Sequence, residues 1–402
     1  MKILVVNCGS SSLKCQVFET SPEQIAATTD RVIAKAVVEK IGTRTAIVSI
    51  TMDGRRVRDT RPVANIDEAL RIVLDEVTQD APIDAVGHRI VHGGEKFREP
   101  VELTDDVVDQ IEDLYDLAPL HNPHNVRGFR AASAQLRTAR HVAVFDTAFH
   151  QTLPPHAFLY GIPYSYYAQD RLRRYGFHGV SHRYIAWRYA KIHGEPKERF
   201  KIISCHLGNG SSMCAIDGGR SIDTSMGFTP QEGLIMGTRS GDIDPSLVLH
   251  MMEQGGETPQ AMDAMLTRKS GLFGLSGLSS DMRILLEYAG NGDKRADTAI
   301  EVFCYRVKKY IGSYLAALNG AGAVVFTGGM GENAPVIRAR ICTGMEGIGL
   351  RLDETANEAA AGKEARISTA DSPVSVWVIP TNEELLIARD TLRFLLGLPH
   401  PD

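Results

Sequence analysis

The chain has 402 residues, a length that suggests two or three domains. Of these residues 43% are hydrophobic and 23% charged, a composition typical of a globular protein. Its 44 Lys and Arg against 49 Asp and Glu give a net charge of -5, so nucleic acid is not an expected partner. Because the sequence contains no apolar run of about 18 residues and no apolar stretch typical of a signal peptide, we expect a cytoplasmic protein without membrane segments.

Strands and helices are predicted to alternate along the chain. Apolar runs predict strands at residues 85–91, 141–145, 202–205, 324–327 and 374–379, and helical periodicity predicts helices at 66–77, 105–116, 183–192, 297–318 and 383–396. This alternation predicts an α/β fold. We expect a domain boundary near Pro154 and Pro155, and we expect the closing helix to pack on the first domain.

The beginning of the chain is repeated near its middle. A shift of 199 positions aligns residues 3–17 with 202–216 without gaps, so that Gly9 falls on Gly208 and Ser12 on Ser211. Each copy predicts a β-hairpin whose tip consists of Gly, Ser and Asn. Such a tip exposes backbone N–H groups that can wrap a phosphate, although it lacks the strand-to-helix order of a Walker loop.

Five segments, three of them rich in glycine, concentrate charged and imidazole side chains. They contain, in chain order, His88, Arg89, His92 and Lys96; His121 and His124; Asp146; His178 and His182; and Arg239 and Asp242. The pairs His88/His92 and His178/His182 have the i, i+4 spacing of zinc ligands on a helix. We do not favour zinc, because a strand would separate the first pair by about 13 Å and Gly179 interrupts the second. Arginines in glycine loops favour an anion instead.

Two further polar segments follow predicted strands near the C-terminal end. The first, GGMGEN at 328–333, places two glycines where a flat ring or a sugar can approach the backbone, and Glu332 or Asn333 can cap a helix or hold a ribose. In the second segment Glu383 follows a strand directly, where it is either a helix-start residue or a magnesium ligand.

Taken together, the motifs resemble the acetate kinase family, of the acetate and sugar kinase, Hsp70 and actin superfamily. They are NCGSSSLK, GHRIVHGGEKF, FDTAFH, YGFHGVSH, HLGNGSS, MGTRSGDIDP, FTGGMGEN and TNEEL, spread between Asn7 and Arg389. The resemblance implies an α/β fold of two ribonuclease-H-like, actin-like ATPase domains flanking a central nucleotide cleft. Residues 1–150 would form the N-terminal domain, joined by the C-terminal helix 384–402, and residues 151–383 would form the nucleotide-binding domain.

The resemblance also implies an activity. The family catalyses reversible, Mg²⁺-dependent transfer of the ATP γ-phosphoryl group to acetate, which gives acetyl phosphate and ADP. We therefore expect ATP or ADP and Mg²⁺ as cofactors, with Mn²⁺ tolerated. We also expect acetate or acetyl phosphate as the small-molecule partner, and a cytoplasmic homodimer without nucleic-acid or membrane partners.

Single residues of this sequence match the functional positions of the family. Asp146, His178, Arg239 and Arg89 match its catalytic positions, and Asn7 and Glu383 match its metal positions. The positions that match acetate-binding residues are Arg89, Val91, Leu120, His121, Phe177 and Pro230. Those that match ATP-binding residues are Ser12, Lys14, His206, Leu207, Gly208, Asn209, Gly210, Asp281, Met282, Arg283, Gly329, Met330, Gly331, Glu332 and Asn333.

The implied reaction requires neutralisation of charge more than transfer of a proton. Acetate at neutral pH is already an anion, so we expect Asp146 to orient magnesium-bound water or an arginine rather than to act as a base. Arg89 and Arg239 would pair with carboxylate and phosphoryl oxygens, and His178 would donate a further hydrogen bond. We expect direct in-line transfer without a phosphoenzyme intermediate.

Two alternatives stay open at this point. One is a kinase of the same architecture for propionate or another short-chain carboxylate. The other is a non-enzymatic ATP switch of the Hsp70 or actin type. A switch does not require two arginines beside apolar residues, and trapping of an acyl phosphate would distinguish it from an enzyme.

Overall fold

A computed structural model describes residues 1–52, 54–77, 82–119 and 121–400 of the chain. The chain divides into two compact units, Met1–Phe149 with Asn382–Asp402, and His150–Thr381. Within the described residues, no helix combines the length and the hydrophobicity needed to cross a bilayer.

An eight-stranded sheet forms the centre of the first unit. Its strands are β1 (Lys2–Cys8), β2 (Ser12–Glu19), β3 (Arg31–Glu39), β4 (Thr43–Met52), β5 (Arg55–Val63), β6 (Ala85–Ile90), β7 (Val101–Glu102) and β8 (Arg140–Phe145). Its helices are α1 (Pro22–Ala27), α2 (Ile66–Val77), α3 (Asp105–Glu112), α4 (Asn122–Gln135) and the C-terminal helix (Glu383–Leu396).

The strand order of this sheet is β5-β4-β3-β2-β1-β6-β8-β7. Pairing is antiparallel from β5 to β1, parallel among β1, β6 and β8, and antiparallel again between β8 and β7. The carboxyl ends of β1, β6 and β8 therefore lie side by side at one edge of the sheet.

Helix α2 shows how the periodicity of the sequence determines packing. Apolar residues recur every three or four positions, and six of them are buried, namely Ile66, Ala69, Leu70, Val73, Leu74 and Val77, while Ile72 is partly buried. They belong to the same core cluster as the inward-facing side chains of β1 to β4. The helix covers one face of the sheet for that reason, and its bounds are those that the sequence predicts.

The second unit is built around a six-stranded sheet. Its strands are β9 (Lys201–Leu207), β10 (Ser211–Asp217), β11 (Arg220–Thr224), β12 (Ala323–Thr327), β13 (Ala365–Arg366) and β14 (Ser375–Val378). Its helices are α5 (Pro155–Phe158), α6 (Tyr164–Asp170), α7 (Gly179–His193), α8 (Pro245–Gly255), α9 (Pro259–Arg268), α10 (Gly271–Ser276), α11 (Met282–Gly290), α12 (Lys294–Ala317), α13 (Gly328–Asn333), α14 (Pro335–Cys342) and α15 (Glu354–Ala359). The strand order is β11-β10-β9-β12-β14-β13.

Both units contain the hairpin that the sequence repeat predicts. Strands β1 and β2 pair antiparallel, and so do β9 and β10, while β1 and β9 each pair on the other side with a parallel strand, β6 or β12. In the first tip the Gly9 N–H donates to the Ser12 carbonyl at 2.8 Å, and in the second the Gly208 N–H donates to Ser211 Oγ at 3.2 Å. The two hairpins are confirmed.

The predicted α/β class is confirmed, with two sheets, but three of the five predicted helices have different bounds. Helix α12 extends over Lys294–Ala317 rather than 297–318. Helix α3 ends at Glu112 rather than at residue 116, because the following backbone bonds, such as Leu114 N–H to Ile111 O at 3.1 Å, span three residues instead of four. Helix α7 begins at Gly179 rather than at residue 183, directly after a His178 in the left-handed conformation, with φ of 55°.

A buried ion pair attaches the C-terminal helix within the first unit. Arg389 donates to Asp30 Oδ2 through Nη2 at 2.5 Å, and Thr20 Oγ1 donates to Asp30 Oδ1 at 2.6 Å. The side chains of Arg389 and Asp30 are 1% and 2% exposed. Burial alone would raise the pKa of Asp30, but the bonds from Arg389 and Thr20 outweigh it and hold the pKa below its ordinary value.

We expect Asp30→Asn to lower the free energy of unfolding by about 3 to 5 kcal/mol, because it leaves the buried charge of Arg389 without its anion. The pKa of Asp30 is lower in the folded than in the unfolded chain. The stabilisation is therefore complete above the unfolded pKa of about 3.9 and is lost as the pH falls through the folded pKa. Urea unfolding of both proteins between neutral and acidic pH measures the difference and its decrease.

Glu19→Gln is the matched control, since Glu19 pairs with Arg31 at 3.0 Å on the surface, where the side chains are 41% and 69% exposed. Its cost should not exceed about 1 kcal/mol. Equal losses in the two variants would contradict the role of the buried pair.

Candidate functional site

Three parallel strands of the first unit bring polar side chains to one edge of its sheet. Asn7 lies near the end of β1, Arg89 near the end of β6, and Asp146 directly after β8. Arg89 donates through Nη1 to Asn7 Oδ1 at 3.3 Å and through Nε to Asp146 Oδ1 at 3.2 Å, and its Nη2 contacts the other Asp146 oxygen. Arg89 thus makes a bidentate contact with Asp146, through Nε and Nη2.

Glu383 completes this group from the first turn of the C-terminal helix. The preceding Asn382 caps the helix by accepting the Leu385 N–H at 3.2 Å, and the Glu383 carboxylate lies 3.8 Å from Arg89 Nε. Glu383 is therefore a helix-start residue, one of its two predicted roles, and its carboxylate also points to the arginine group.

The carboxylates keep Arg89 charged although its side chain is only 17% exposed. Burial alone would lower the pKa of Arg89, but the charges of Asp146, which is 1% exposed, and of Glu383 outweigh it and raise the pKa above its ordinary value. Asp146 is hydrogen-bonded to a guanidinium, which favours its ionised form and an orienting role over that of a base.

The donor atoms of this group suit Mg²⁺. The Asn7 amide oxygen and the Asp146 and Glu383 carboxylates are hard oxygen ligands, and Mg²⁺ uses one or two carboxylates together with water and substrate phosphates. In the described part of the chain, no three or more His, Cys, Asp and Glu side chains cluster as a complete metal cage. The oxygen donors present are of the kind that Mg²⁺ binds together with water and substrate phosphates.

Other predicted residues of the first unit lie on neighbouring elements. Ser12 and Lys14 lie on β2, and Lys14 is exposed. Val91 is buried just after β6 and its N–H donates to Asn125 Oδ1 at 3.0 Å. His121 precedes α4, and Leu120 lies outside the described residues.

A second polar group is centred on His178 in the second unit. His178 occupies the position before α7 and has a positive φ, a conformation that is costly for a residue with a side chain. Its Nδ1 lies 2.9 Å from Ser212 Oγ on β10. Its ring stacks on His206 of β9, with centroids 4.3 Å apart. The backbone conformation and the two contacts fix the direction of the imidazole.

Arg239 lies beside His178 at the tip of the second hairpin. A Cβ placed on Gly210 would lie 3.5 Å from His178 Nε2 and 3.6 Å from Arg239 Nη1, so both side chains lie close to this glycine. Arg239 Nη1 donates to the Pro230 carbonyl at 2.9 Å, and burial lowers the pKa of Arg239. No salt bridge to Arg239 occurs among the described residues. A partly buried cation without an acidic partner favours binding of an anion.

The remaining predicted acetate contacts of the second unit are Phe177 and Pro230. Phe177 is buried, and its carbonyl accepts a hydrogen bond from His150 Nε2 at 3.0 Å. Pro230 is partly exposed and holds Arg239 through its carbonyl. Val91 and His121 belong to the first unit and Phe177 and Pro230 to the second.

The predicted nucleotide-binding residues all belong to the second unit, except Ser12 and Lys14. The stretch from His206 to Gly210 ends β9 and forms the hairpin tip, and the Gly237 N–H donates to the Asn209 carbonyl at 2.9 Å. Asp281 caps α11 and pairs with Arg283 at 2.5 Å, with Arg283 89% exposed and Met282 buried.

Helix α13 contains the predicted stretch Gly329, Met330, Gly331, Glu332 and Asn333. Glu332 Oε1 accepts the N–H groups of Gly328 at 2.9 Å and Thr381 at 3.1 Å. Of the two predicted roles of Glu332, the structure contains the helix-capping one. Gly329 is exposed, and a Cβ added to it would meet nothing within 4 Å, which leaves room beside its backbone.

The sequence prediction missed three serines that bind the histidines of the second group. Ser212 contacts both His178 and His182, Ser204 contacts His182 at 2.9 Å, and Ser181 contacts His206 at 2.8 Å. Of the three, only Ser181 could have been predicted from the sequence, because it is spaced i+3 from His178, as His182 is spaced i+4.

Similarity to known proteins extends over nearly the whole chain. The model of the acetokinase family matches residues 2–389. An acetate kinase of Solibacter usitatus (strain Ellin6076) is 50% identical, and the alignment covers 100% of each chain. The crystal structure of Porphyromonas gingivalis acetate kinase is 43% identical with a TM-score of 0.90, covering 98% of this chain and 99% of that one.

A crystal structure of a propionate kinase from Francisella tularensis subsp. tularensis SCHU S4 is 38% identical, also with a TM-score of 0.90, covering 99% of this chain and 100% of that one. Because the family model and these relatives extend over nearly all of its length, the chain belongs to the acetokinase family.

Proposed function

We propose that the protein transfers the γ-phosphoryl group of ATP to acetate, giving acetyl phosphate and ADP, in a reversible and magnesium-dependent reaction. Membership of the acetokinase family supports the reaction class. The observation that carries the proposal is Arg239, a partly buried cation without a salt bridge in the described residues, held beside His178. This pair provides a positive charge and a hydrogen-bond donor for a transferring phosphoryl group.

Acetate enters this reaction as an anion, so its binding requires a cation and not a base. We propose that Arg89 binds the carboxylate of acetate, because Asp146 orients its guanidinium through two contacts. Asp146 then acts as the residue that fixes Arg89. Because no proton has to leave acetate, the carboxylate oxygen attacks the phosphorus directly, and no phosphoenzyme is needed.

The phosphoryl group gains charge on its equatorial oxygens during transfer. Arg239 and His178 bind those oxygens in our proposal, since both side chains approach Gly210 in the hairpin tip.

ATP would be bound by Ser12 and Lys14, by the stretches from His206 to Gly210 and from Asp281 to Arg283, and by Gly329 to Asn333. Asn7 and Glu383 would hold Mg²⁺ (or Mn²⁺), which neutralises phosphate charge when it is bound. We further propose that the two compact units are the two domains expected from the resemblance, and that the enzyme is a cytoplasmic homodimer.

Propionate is the second candidate substrate, because a similar solved structure is named a propionate kinase. Val91, Leu120, Phe177 and Pro230 are proposed to contact the methyl group of acetate. One methylene changes specificity by about 10- to 200-fold, so we expect acetate to be preferred, propionate to be accepted and butyrate to be poor.

Arg89→Ala and Arg239→Ala should each lower kcat by about 10²- to 10⁴-fold while the protein stays folded, because each removes a cation from the reacting anions. Lysine at either position should restore only part of the rate, since an ammonium cannot make the bidentate contact. Steady-state assays of acyl phosphate formation measure both effects.

Arg351→Ala is the control, because Arg351 is 46% exposed and pairs with Asp371 at 2.5 Å. Its kcat should equal that of the wild type. Near-normal turnover in either Arg89→Ala or Arg239→Ala would refute the role given to that arginine.

Glu383→Ala should raise the Mg²⁺ concentration for half-maximal activity by about tenfold, and Asn7→Ala should raise it as well, because each removes a hard oxygen ligand or a group that holds the ion's water. A Mg²⁺ titration at saturating ATP and acetate measures the shift. Glu102→Ala is the control, since Glu102 pairs with Arg140 at 2.7 Å on the surface. If the Mg²⁺ titration is unchanged in both Glu383→Ala and Asn7→Ala, the proposed metal role is wrong and Glu383 is only a helix-start residue.

Val91→Ala should raise the ratio of propionate to acetate kcat/KM by about several-fold, while the KM for ATP stays the same, because the change opens space near a longer acyl chain. The control is Val73→Ala, which removes the same two methyl groups from the core at α2. If the ratio is the same in Val91→Ala and in the wild type, the acyl chain binds elsewhere.

A further inference from the structure

Helix α7 and the first hairpin of the second unit meet through polar side chains. Ser181 and His182 lie in the first turn of α7, and His178 directly precedes the helix. The facing strands contribute Ser204 and His206 from β9 and Ser212 from β10, where Ser212 pairs with His206 and Cys214 with Ser204. Such an interface has to satisfy every buried donor and acceptor internally.

Four of these side chains form one continuous series of hydrogen bonds. Ser204 Oγ lies 2.9 Å from His182 Nδ1, His182 Nε2 lies 2.8 Å from Ser212 Oγ, and Ser212 Oγ lies 2.9 Å from His178 Nδ1. His182, Ser204 and Ser212 are all 0% exposed. Both nitrogens of His182 are occupied, so this histidine has no nitrogen left for a metal or a substrate.

The direction of the series follows from the number of protons. In the described part of the chain, Ser204 Oγ has no hydrogen-bond partner except His182. If His182 donated from Nδ1, the buried hydroxyl proton of Ser204 would have no acceptor, which is costly. If Ser204 donates to Nδ1 instead, His182 donates from Nε2 to Ser212, and Ser212 donates to Nδ1 of His178. Every proton within the series then has an acceptor.

We propose that Ser204, His182 and Ser212 are positioning residues that hold His178 as a neutral imidazole with its proton on Nε2. The chemical role of this tautomer rests on the proposed function. In that role the Nε2–H of His178, on the side of Gly210 and Arg239, is a permanent donor to the phosphoryl group. The opposite tautomer would present a lone pair to the phosphoryl oxygens and repel them.

Protonation of His178 is opposed by the same series. A proton on its Nδ1 would reverse all three bonds and leave the Ser204 hydroxyl without an acceptor. Within the second unit, the titratable and charged groups described next to the series are the rings of His150 and His206 and, beside His178, the guanidinium of Arg239. Burial, followed by the charges of His150 and His206, lowers the pKa of His182 well below its ordinary value, which agrees with a neutral His182.

The test is ¹H–¹⁵N correlation spectroscopy of the full chain labelled with ¹⁵N-histidine, without substrate, between pH 5.5 and 8.5. Loss of a signal in His178→Gln assigns the His178 resonances. We expect the Nε2–H tautomer in the wild type, with a pKa below the ordinary 6.5. In Ser204→Ala, which does not touch His178, we expect a mixture of tautomers and a pKa about one unit higher than in the wild type.

Ser221→Ala is the matched control, because it removes a buried hydroxyl 2.8 Å from Nδ1 of another buried histidine, His150. It should leave the His178 signals unchanged. An Nδ1–H tautomer in the wild type would overturn the proposal, and that spectrum decides the tautomer even if Ser204→Ala does not fold. Unchanged His178 signals in a folded Ser204→Ala would also overturn it. A protein with the expected spectra but without acyl phosphate formation would overturn the proposed function alone.

Discussion

Withdrawing a guanidinium from water costs free energy unless anions or dipoles compensate its charge. The structure compensates its two central arginines differently. Arg89 contacts Asp146 and Glu383 within the first unit, whereas Arg239, in the second, contacts the Pro230 carbonyl and the Met236 sulfur. Arg89 is therefore held in a fixed orientation at little electrostatic cost. Arg239 has no carboxylate among its described contacts, and we propose that an incoming anion supplies this compensation during phosphoryl transfer.

The internal repeat explains how one topology supports two chemical roles. Each unit contains a hairpin whose first strand pairs on its other side with a parallel strand. At the end of that first strand, positions 199 residues apart carry Asn7 in the first unit and His206 in the second. The amide of Asn7 contacts Arg89, while the ring of His206 stacks on His178. Equivalent backbone positions thus present a hard oxygen in one unit and an aromatic surface in the other.

The sequence predicted the features that depend on local pattern and long motifs. Helix α2 follows from its apolar periodicity, the hairpins from their glycine and serine tips, and Arg89 and Asp146 from motifs that end neighbouring strands. It could not predict that α7 starts at Gly179, because this depends on a positive φ at His178 that packing imposes. The partners of His182 are equally inaccessible, since Ser204 and Ser212 meet it only after β9 and β10 pair and α7 packs on them.

Formation of an acyl phosphate is the central claim, and it can be measured directly. The wild-type protein incubated with ATP, Mg²⁺ and acetate, propionate or butyrate, in the presence of hydroxylamine, reports that product as the hydroxamate. We predict a hydroxamate that requires both ATP and the acid, with most product from acetate, less from propionate and little from butyrate. Consumption of ATP without any hydroxamate, or at a rate independent of the acid, would contradict the claim.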